Sequence, residues 1–306
     1  MPYQFTCPHC QTQTLVDDRY SGHVGRCVTC DQAIEVPEFV PEANLQTISP
    51  PGRTSPLVRR ILAAVVCVLL IAGAFVFLQR YGGPAINSLS VGREQAIAVG
   101  NLKKIAAALN MYANDHSIYP APIIRDATGK PMHSWRVAIL PYLEERALFQ
   151  SYDFDLPWDS DTNIALVDQM PSVYAATSSS NWVTNECFYQ LVTGNRTLFP
   201  SSGPLGPKKM LDDPTKTALV VEAMPPKARQ NLPGVWTEPV ELDSQAMSGL
   251  IGSNLGVEIG GITQGGVAIA TVDGEGHFLE NTMAPEIVIA ILTASGGEPL
   301  ADDVLD

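Results

Sequence analysis

The chain is poor in basic residues and in cysteine, and both shortages narrow what it does. It carries 19 Lys and Arg against 32 Asp and Glu in 306 residues, a formal net charge of −13. No nucleic-acid partner is expected, because phosphate neutralisation needs clustered Lys and Arg. Six cysteines are too few for a disulfide-stapled secreted scaffold. With 45% hydrophobic and only 17% charged residues, the chain is too apolar to be disordered and has ample material for a core. No Gly-x-Ser-x-Gly elbow surrounds any serine, so a hydrolase triad has no local support. Gly265-Gly266 lacks the downstream glycine and helix of a phosphate-binding loop.

The acid excess is confined to the C-terminal part. Residues 1–60 hold five basic and six acidic side chains, whereas residues 81–306 hold 13 and 26. Between them, Ile61–Leu78 reads ILAAVVCVLLIAGAFVFL, eighteen residues without a charge. At about 1.5 Å per residue this makes about 27 Å of helix, close to the roughly 30 Å of a bilayer core. A buried soluble helix rarely lacks a polar face over about five turns. Sixty residues precede the run, so it is read as a transmembrane helix over 61–80 and not as a cleaved signal. Arg53, Arg59 and Arg60 precede it while Arg80 and Arg93 follow. The positive-inside rule then assigns residues 1–60 to the cytoplasm and 81–306 to the outside.

Cys7-Pro-His-Cys10 and Cys27-Val-Thr-Cys30 form a C-x2-C, x16, C-x2-C pattern. Two residues between ligands let one tight turn aim both thiolates at an ion, and two such turns complete a tetrahedron. Short β-type runs at Thr12–Val16, His23–Arg26 and Ile34–Val36 accompany the turns, with Gly22 and Gly25 as turn residues. Residues 1–36 are therefore expected to be a zinc ribbon that folds around one structural Zn2+, held by Cys7, Cys10, Cys27 and Cys30. A thioredoxin-like C-x-x-C would need a surrounding βαβ pattern, which is missing. His9 and His23 are not needed, since four cysteines close the shell. Thiolate ligands suit a reducing compartment, in agreement with a cytoplasmic N-terminus. The ribbon has no basic stripe, so its expected partners are proteins. Prolines 37, 41, 50, 51 and 56 make residues 37–60 a semi-extended linker.

Residues 85–306 read as an α+β domain: one long helix followed by an antiparallel sheet. Tyr81-Gly-Gly-Pro84 is expected to break the chain after the span. An amphipathic helix follows from about Gly92 to His116, with Leu102, Ile105, Ala106, Leu109, Tyr112 and Ala113 at helical spacing. A second helical stretch, Trp135–Tyr152, must be kinked or split at Pro141. Short β-runs are expected at Cys187–Val192, Ala218–Glu222, Val235–Leu242 and Val267–Val272. The last leads through an Asp273-Gly274 turn into His277–Leu279. Pro285–Thr293 reads as a closing helix, stopped by Gly296-Gly297.

Several of these segments carry a family resemblance. Asn101-Leu-Lys-Lys-Ile-Ala-Ala-Ala-Leu-Asn-Met-Tyr112, followed by Tyr119-Pro120, resembles the first helix of pilins and type II secretion pseudopilins. Pro131-Met-His-Ser-Trp-Arg-Val-Ala-Ile-Leu-Pro-Tyr-Leu143 and Tyr152-Asp-Phe-Asp-x-Pro-Trp-Asp159 resemble the bacterial domain of unknown function 1559. So do Val220-Val-Glu-Ala223, Trp236-Thr-x-Pro239, Val272-Asp-Gly274 and Leu292-Thr-x-x-Gly-Gly-Glu298. The resemblance runs over roughly residues 90–300 and implies a pilin-like domain anchored in the inner membrane, without an established activity. Two features depart from it. Ser55-Pro-Leu-Val-Arg-Arg60 stands where such proteins have a prepilin cleavage signal with its glycine and glutamate. Thr263 stands where an H-x9-DG pattern would put histidine.

Asp153, Asp155, Asp159, Asp161 and Asn163 crowd into eleven residues and offer the hard oxygens that Ca2+ takes. Phe154, Leu156, Pro157 and Trp158 interrupt any EF-hand spacing, so the stretch reads as an acidic surface loop in preference to a calcium site. His116, His133 and His277 lack the neighbours of a catalytic centre, and Cys187 reads as a core residue. The expected function is that of a membrane-anchored, non-catalytic binding or scaffold protein of the cell envelope. Its expected partners are the lipid bilayer and proteins that one sequence does not identify. The alternative is an envelope enzyme acting on glycans, with Glu222 and Glu238 as acid and base.

Overall fold

The computed structural model describes residues 2–38, 56–77, 80, 83–175, 185–226 and 235–305. The chain divides into two units, Met1–Ala74 and Phe75–Asp306. The first begins with two antiparallel hairpins. Strand β1 (Tyr3–Thr6) pairs with β2 (Gln13–Val16), and β3 (Val24–Arg26) pairs with β4 (Ala33–Glu35). Sequence patterning missed β1, whose Tyr-Gln-Phe-Thr alternates without a turn signal ahead of it. Of residues 2–38 only Cys7, Cys27 and Val36 are buried. So small a core cannot offset the entropy of ordering the chain unless a cross-link helps.

Helix α1 runs Pro56–Phe77 and so begins five residues before the expected Ile61, taking Pro56–Arg60 out of the expected 37–60 linker. Proline needs no N–H partner in a first helical turn, which is why Pro56 opens the helix instead of blocking it. The rest of the linker, 39–55, lies outside the described residues. Leu57–Phe77 has a mean hydropathy of 2.6, and every one of its side chains is exposed. The helix is long and apolar enough to cross a membrane once.

The second unit mixes helix and sheet. Helix α2 spans Gly83–His116, nine residues earlier than the expected Gly92, with Pro84 again in a tolerated first-turn position. Of the expected break, Tyr81 and Gly82 lie outside the described residues. Ala98, Leu102, Ile105, Ala106, Leu109 and Ala113 are all buried and form one face of α2. Ser117, at φ 66, turns the chain out of the helix. A small hairpin follows, β5 (Ile123–Arg125) with β6 (Pro131–Ser134). The Trp135–Tyr152 stretch splits at Pro141 as expected. It gives α3 (Trp135–Ala138), a 3-10 turn at Leu140–Leu143 and α4 (Arg146–Ser151). Helix α5 (Asp161–Ile164) is one turn, capped by the Ser160 hydroxyl.

The remaining strands are β7 (Tyr189–Gln190), β8 (Val192–Thr193), β9 (Ala218–Glu222), β10 (Leu242–Asp243), β11 (Gly266–Thr271) and β12 (Gly276–Glu280), followed by helix α6 (Pro285–Leu292). Four of them form an antiparallel sheet in the order β12-β11-β9-β7, while β8 and β10 make a separate parallel pair. All of β11 is buried, and its side chains alternate between two cores. Ala268 and Ala270 join the core that holds the α2 face, whereas Val267 and Ile269 join the one that holds Val288 and Ile291 of α6. Helix α2 lies close on the β11–β12 hairpin. A Cβ added at Gly276 would come within 2.8 Å of Val99 Cγ1 and 2.7 Å of Lys103 Cγ, so only glycine fits. The Val235–Leu242 run is not a strand apart from its last residue. Glu238 N–H bonds to Val235 O and Val240 N–H to Glu238 O, so the chain turns tightly around Pro239, which has no N–H for a ladder.

That turn delivers Glu241 to a buried ion pair. Arg136 and Glu241 side chains are 2% and 0% exposed, and Nη1 of Arg136 lies 2.8 Å from Oε1 of Glu241. Trp135 Nε1 (2.6 Å) and the Leu191 backbone N–H (2.6 Å) also donate to Glu241. Arg136 in turn donates to Tyr189 O and Ser134 Oγ. Desolvation pushes the Glu241 carboxyl up to about 7, against the pull of the guanidinium and the two N–H donors. Replacing Glu241 by Ala strands a buried guanidinium and is expected to cost about 3–5 kcal/mol. Replacing the pair by Met and Leu together is expected to cost less than the single change. All four tryptophans lie in the second unit, so tryptophan fluorescence during urea unfolding of the full chain reads this unit alone.

Candidate metal centre

The two Cys-x-x-Cys turns are near copies of each other. Cys7 N–H bonds to Thr12 O and Gln11 N–H to Cys7 O; Cys27 N–H bonds to Gln32 O and Asp31 N–H to Cys27 O. The residue after each second cysteine is left-handed, Gln11 at φ 60 and Asp31 at φ 62. This conformation turns each chain back so that both sulfurs of a pair face the same point. The repeat in backbone bonding is not legible in the sequence, since neither position is glycine.

Cys7, Cys10, Cys27 and Cys30 bring their sulfurs within 4.8 Å of one another. Cys7 Sγ lies 3.8 Å from Cys30 Sγ, and Cys10 Sγ lies 3.7 Å from Cys27 Sγ. A tetrahedral ion with bonds of about 2.3 Å to sulfur has ligand edges of about 3.8 Å, so the spacing fits such an ion. The electrostatics also fit. The Thr12 hydroxyl and backbone N–H lower the Cys10 thiol to about 6, and the Thr29 and Cys30 backbone N–H groups lower Cys27. Cys30 goes the other way. Despite a backbone bond from Gln32, desolvation and the crowding of three other sulfurs push it up to about 12. Four negative sulfurs are mutually repulsive, and a divalent cation at their centre removes the repulsion.

The other expected candidates are held by internal contacts. Asn163, fully buried, accepts from Asp153 N–H and donates to the carbonyls of Asp153, Leu156 and Pro157. Asp153 Oδ1 accepts from Asp155 N–H. The carbonyls of the acidic loop thus turn inward onto one amide. Among the described residues, Asp153, Asp155, Asp159 and Asp161 form no group that could close on an ion. His116 stacks on Tyr112, and His277 Nδ1 lies 3.2 Å from Leu305 O. His133 is held between Tyr152 Oη and Phe154 O, and desolvation lowers its pKa. Cys187 is buried, and desolvation raises its thiol.

Glu222 is 1% exposed at the end of β9, with Oε1 accepting from the Thr263 hydroxyl at 2.6 Å and Oε2 from Ala268 N–H at 3.2 Å. Thr263 therefore satisfies a buried carboxyl. Glu238 is also buried, in the turn before β10. The Arg136–Glu241 pair is invisible to sequence patterning. Arg136 stands inside the Ser-Trp-Arg segment, but Glu241 lies 105 residues away with no local pattern to mark it.

Residues 99–205 match the family described as Protein of unknown function (DUF1559). The match bears out the sequence resemblance over that stretch, which runs from the packed half of α2 through the acidic loop to the residues before β9. No curated protein and no solved structure matches the chain. Within the DUF1559 stretch, Asn110 of α2 donates to Val272 O and accepts from Tyr119 Oη. One amide thus joins the helix segment, the Tyr-Pro turn and the Val-Asp-Gly hairpin.

Two outcomes follow. Elemental analysis of the purified full chain is expected to give about one tetrathiolate-bound ion, and Cys27→Ser is expected to lose it and unfold the ribbon. Desolvation also raises the Glu222 carboxyl, outweighing its Thr263 and Ala268 donors. The folded chain then holds a proton that the unfolded chain has released. Its stabilising share is complete below the ordinary carboxylate range and is lost as pH rises through the raised value. Glu222→Gln keeps the shape without the titration. Its stability relative to the parent, read by urea unfolding, is expected to rise with pH above the ordinary carboxylate range and to level off once the raised value is passed.

Proposed function

We propose that the protein is a membrane-anchored, non-catalytic binding protein of the bacterial inner membrane. In this reading a zinc ribbon lies on the cytoplasmic side and a pseudopilin-like domain on the outer side. The observation that carries it is the exposed apolar surface of Leu57–Phe77, with the four-cysteine cluster N-terminal to it and the DUF1559 stretch C-terminal to it. A hydrocarbon bilayer is the environment that such a helix suits. Four thiolates at tetrahedral spacing favour Zn2+ over the hard cations. Arg59 and Arg60 before the span, and the reducing conditions that thiolates need, support a cytoplasmic ribbon.

A glycan-cleaving reading needs two carboxyls facing one cleft. Glu222, with both oxygens hydrogen-bonded inside the sheet, lends that reading no support. Filament assembly is likewise not part of the proposal. Residues 61–78 contain no glutamate to set a register, and outer domains with 26 acidic against 13 basic residues repel when packed.

A reporter enzyme active only outside the membrane is expected to work when fused after residue 306 and to fail when fused at residue 1. The opposite pattern would refute the topology. Sheared filaments containing the protein, in electron micrographs of overproducing cells, would refute the solitary anchor.

A further inference from the structure

We propose that the groove between the two ribbon hairpins is a docking site for an extended, apolar peptide segment flanked by acidic side chains, which adds a strand between β2 and β3. The proposal rests on the binding role given to the ribbon above and names its surface and the chemistry of its partner. The groove encloses about 470 Å³, within the roughly 300–1,000 Å³ of ordinary ligand sites. Its lining distinguishes floor from rim. β4 and the residue after it contribute alternate positions, Ile34 and Val36, and β1 contributes Phe5. Alternate residues share one face of a strand, so these side chains make an apolar floor. β2 and β3 instead contribute consecutive residues, Thr14 to Val16 and Val24 to Arg26. A strand that lines a groove with every residue borders it by its edge.

Among the described residues neither edge is covered: β2 pairs with β1 alone and β3 with β4 alone, in two-stranded sheets. Such edges, unless covered, are templates for another strand. The rim is also unusually apolar for so small a module: Leu15 is 68% exposed and Val24 73%. Charge then sets the partner's flanks. Arg19 and Arg26 line the groove against one acid, Asp17. Their own ion pairs, Arg19–Asp17 at 3.9 Å and Arg26–Asp31 at 3.4 Å, are solvent-exposed and so weak enough to exchange. Acidic residues flanking an apolar strand suit the two arginines of this lining.

The test uses the full chain, metal-loaded, in lipid nanodiscs. Three labelled peptides serve as probes: alternating Val and Thr with Glu at both ends, the same with a central Pro, and the same with Lys for Glu. The Glu peptide is expected to bind. The Pro peptide should bind about tenfold more weakly, since it lacks a ladder donor and disturbs the strand. The Lys peptide should also bind more weakly, the gap narrowing with salt. Leu15→Asp and Val24→Asp, both at exposed positions and neither at a cysteine, should each weaken the Glu peptide about tenfold and leave the metal content unchanged. No binding up to about 1 mM, equal binding of the Pro peptide, or binding untouched by both variants would overturn the proposal. Concentration-dependent dimerisation that Leu15→Asp abolishes would make the occupant a second copy and overturn it too. Peptide binding does not depend on which side of the membrane the ribbon faces. A failed topology reporter therefore leaves the groove standing, and a failed peptide leaves the topology standing.

Discussion

The second unit is organised by the need to satisfy one buried ion pair. Taking a guanidinium and a carboxylate out of water costs several kcal/mol each, so both must be ringed by partners. The Leu191 N–H turns to Glu241, and at that residue the β7–β8 stretch breaks. β7 continues the main antiparallel sheet, whereas β8 pairs with β10, the strand that follows Glu241. The Trp135 indole donates to Glu241 and the Ser134 hydroxyl accepts from Arg136, whose Nε alone is left without a hydrogen-bond partner among the described residues, and this holds α3 against the strands. Irregular topology here is the consequence of polar satisfaction.

The same constraint operates twice more in that unit. Thr263 and Ala268 N–H close off Glu222, and Asn110 joins α2 to the Tyr119 turn and the β11–β12 hairpin. Buried polar groups that are fully paired specify one arrangement, because alternatives leave a donor or acceptor unmet. Apolar packing of α2 against Ala268 and Ala270 gives the bulk of the core but tolerates small shifts in register. The hydrogen bonds remove that freedom.

The first unit obeys different physics. Its ribbon buries two cysteines and one valine, so cohesion has to come through the sulfurs, and their mutual repulsion calls for a cation. Among the described residues, the side chains of Leu57–Phe77 in helix α1 are all exposed. The four sulfurs could hold a metal ion, and the helix is long and apolar enough to cross a membrane.

Local signals in the sequence sufficed for whatever depends on short spacing. The four cysteines at C-x2-C spacing, the uncharged run after Arg60, the helical period through Leu102 and Leu109, the split at Pro141 and the Asp273-Gly274 turn are each set within a few residues. Helix starts were less legible, because Pro56 and Pro84 read as breaks when they are in fact allowed first-turn residues. The Val235–Leu242 run read as one of the short β-rich runs between Gly and Pro, but the turns around Pro239 override that reading. What only the tertiary structure decided is which distant polar groups meet: Arg136 with Glu241, Glu222 with Thr263, and Asn110 with Val272. Periodicity reports which face of an element is apolar. It carries no information on which buried donor will find which acceptor dozens of residues away, because that pairing is set by chain topology and by the cost of leaving either group unpaired.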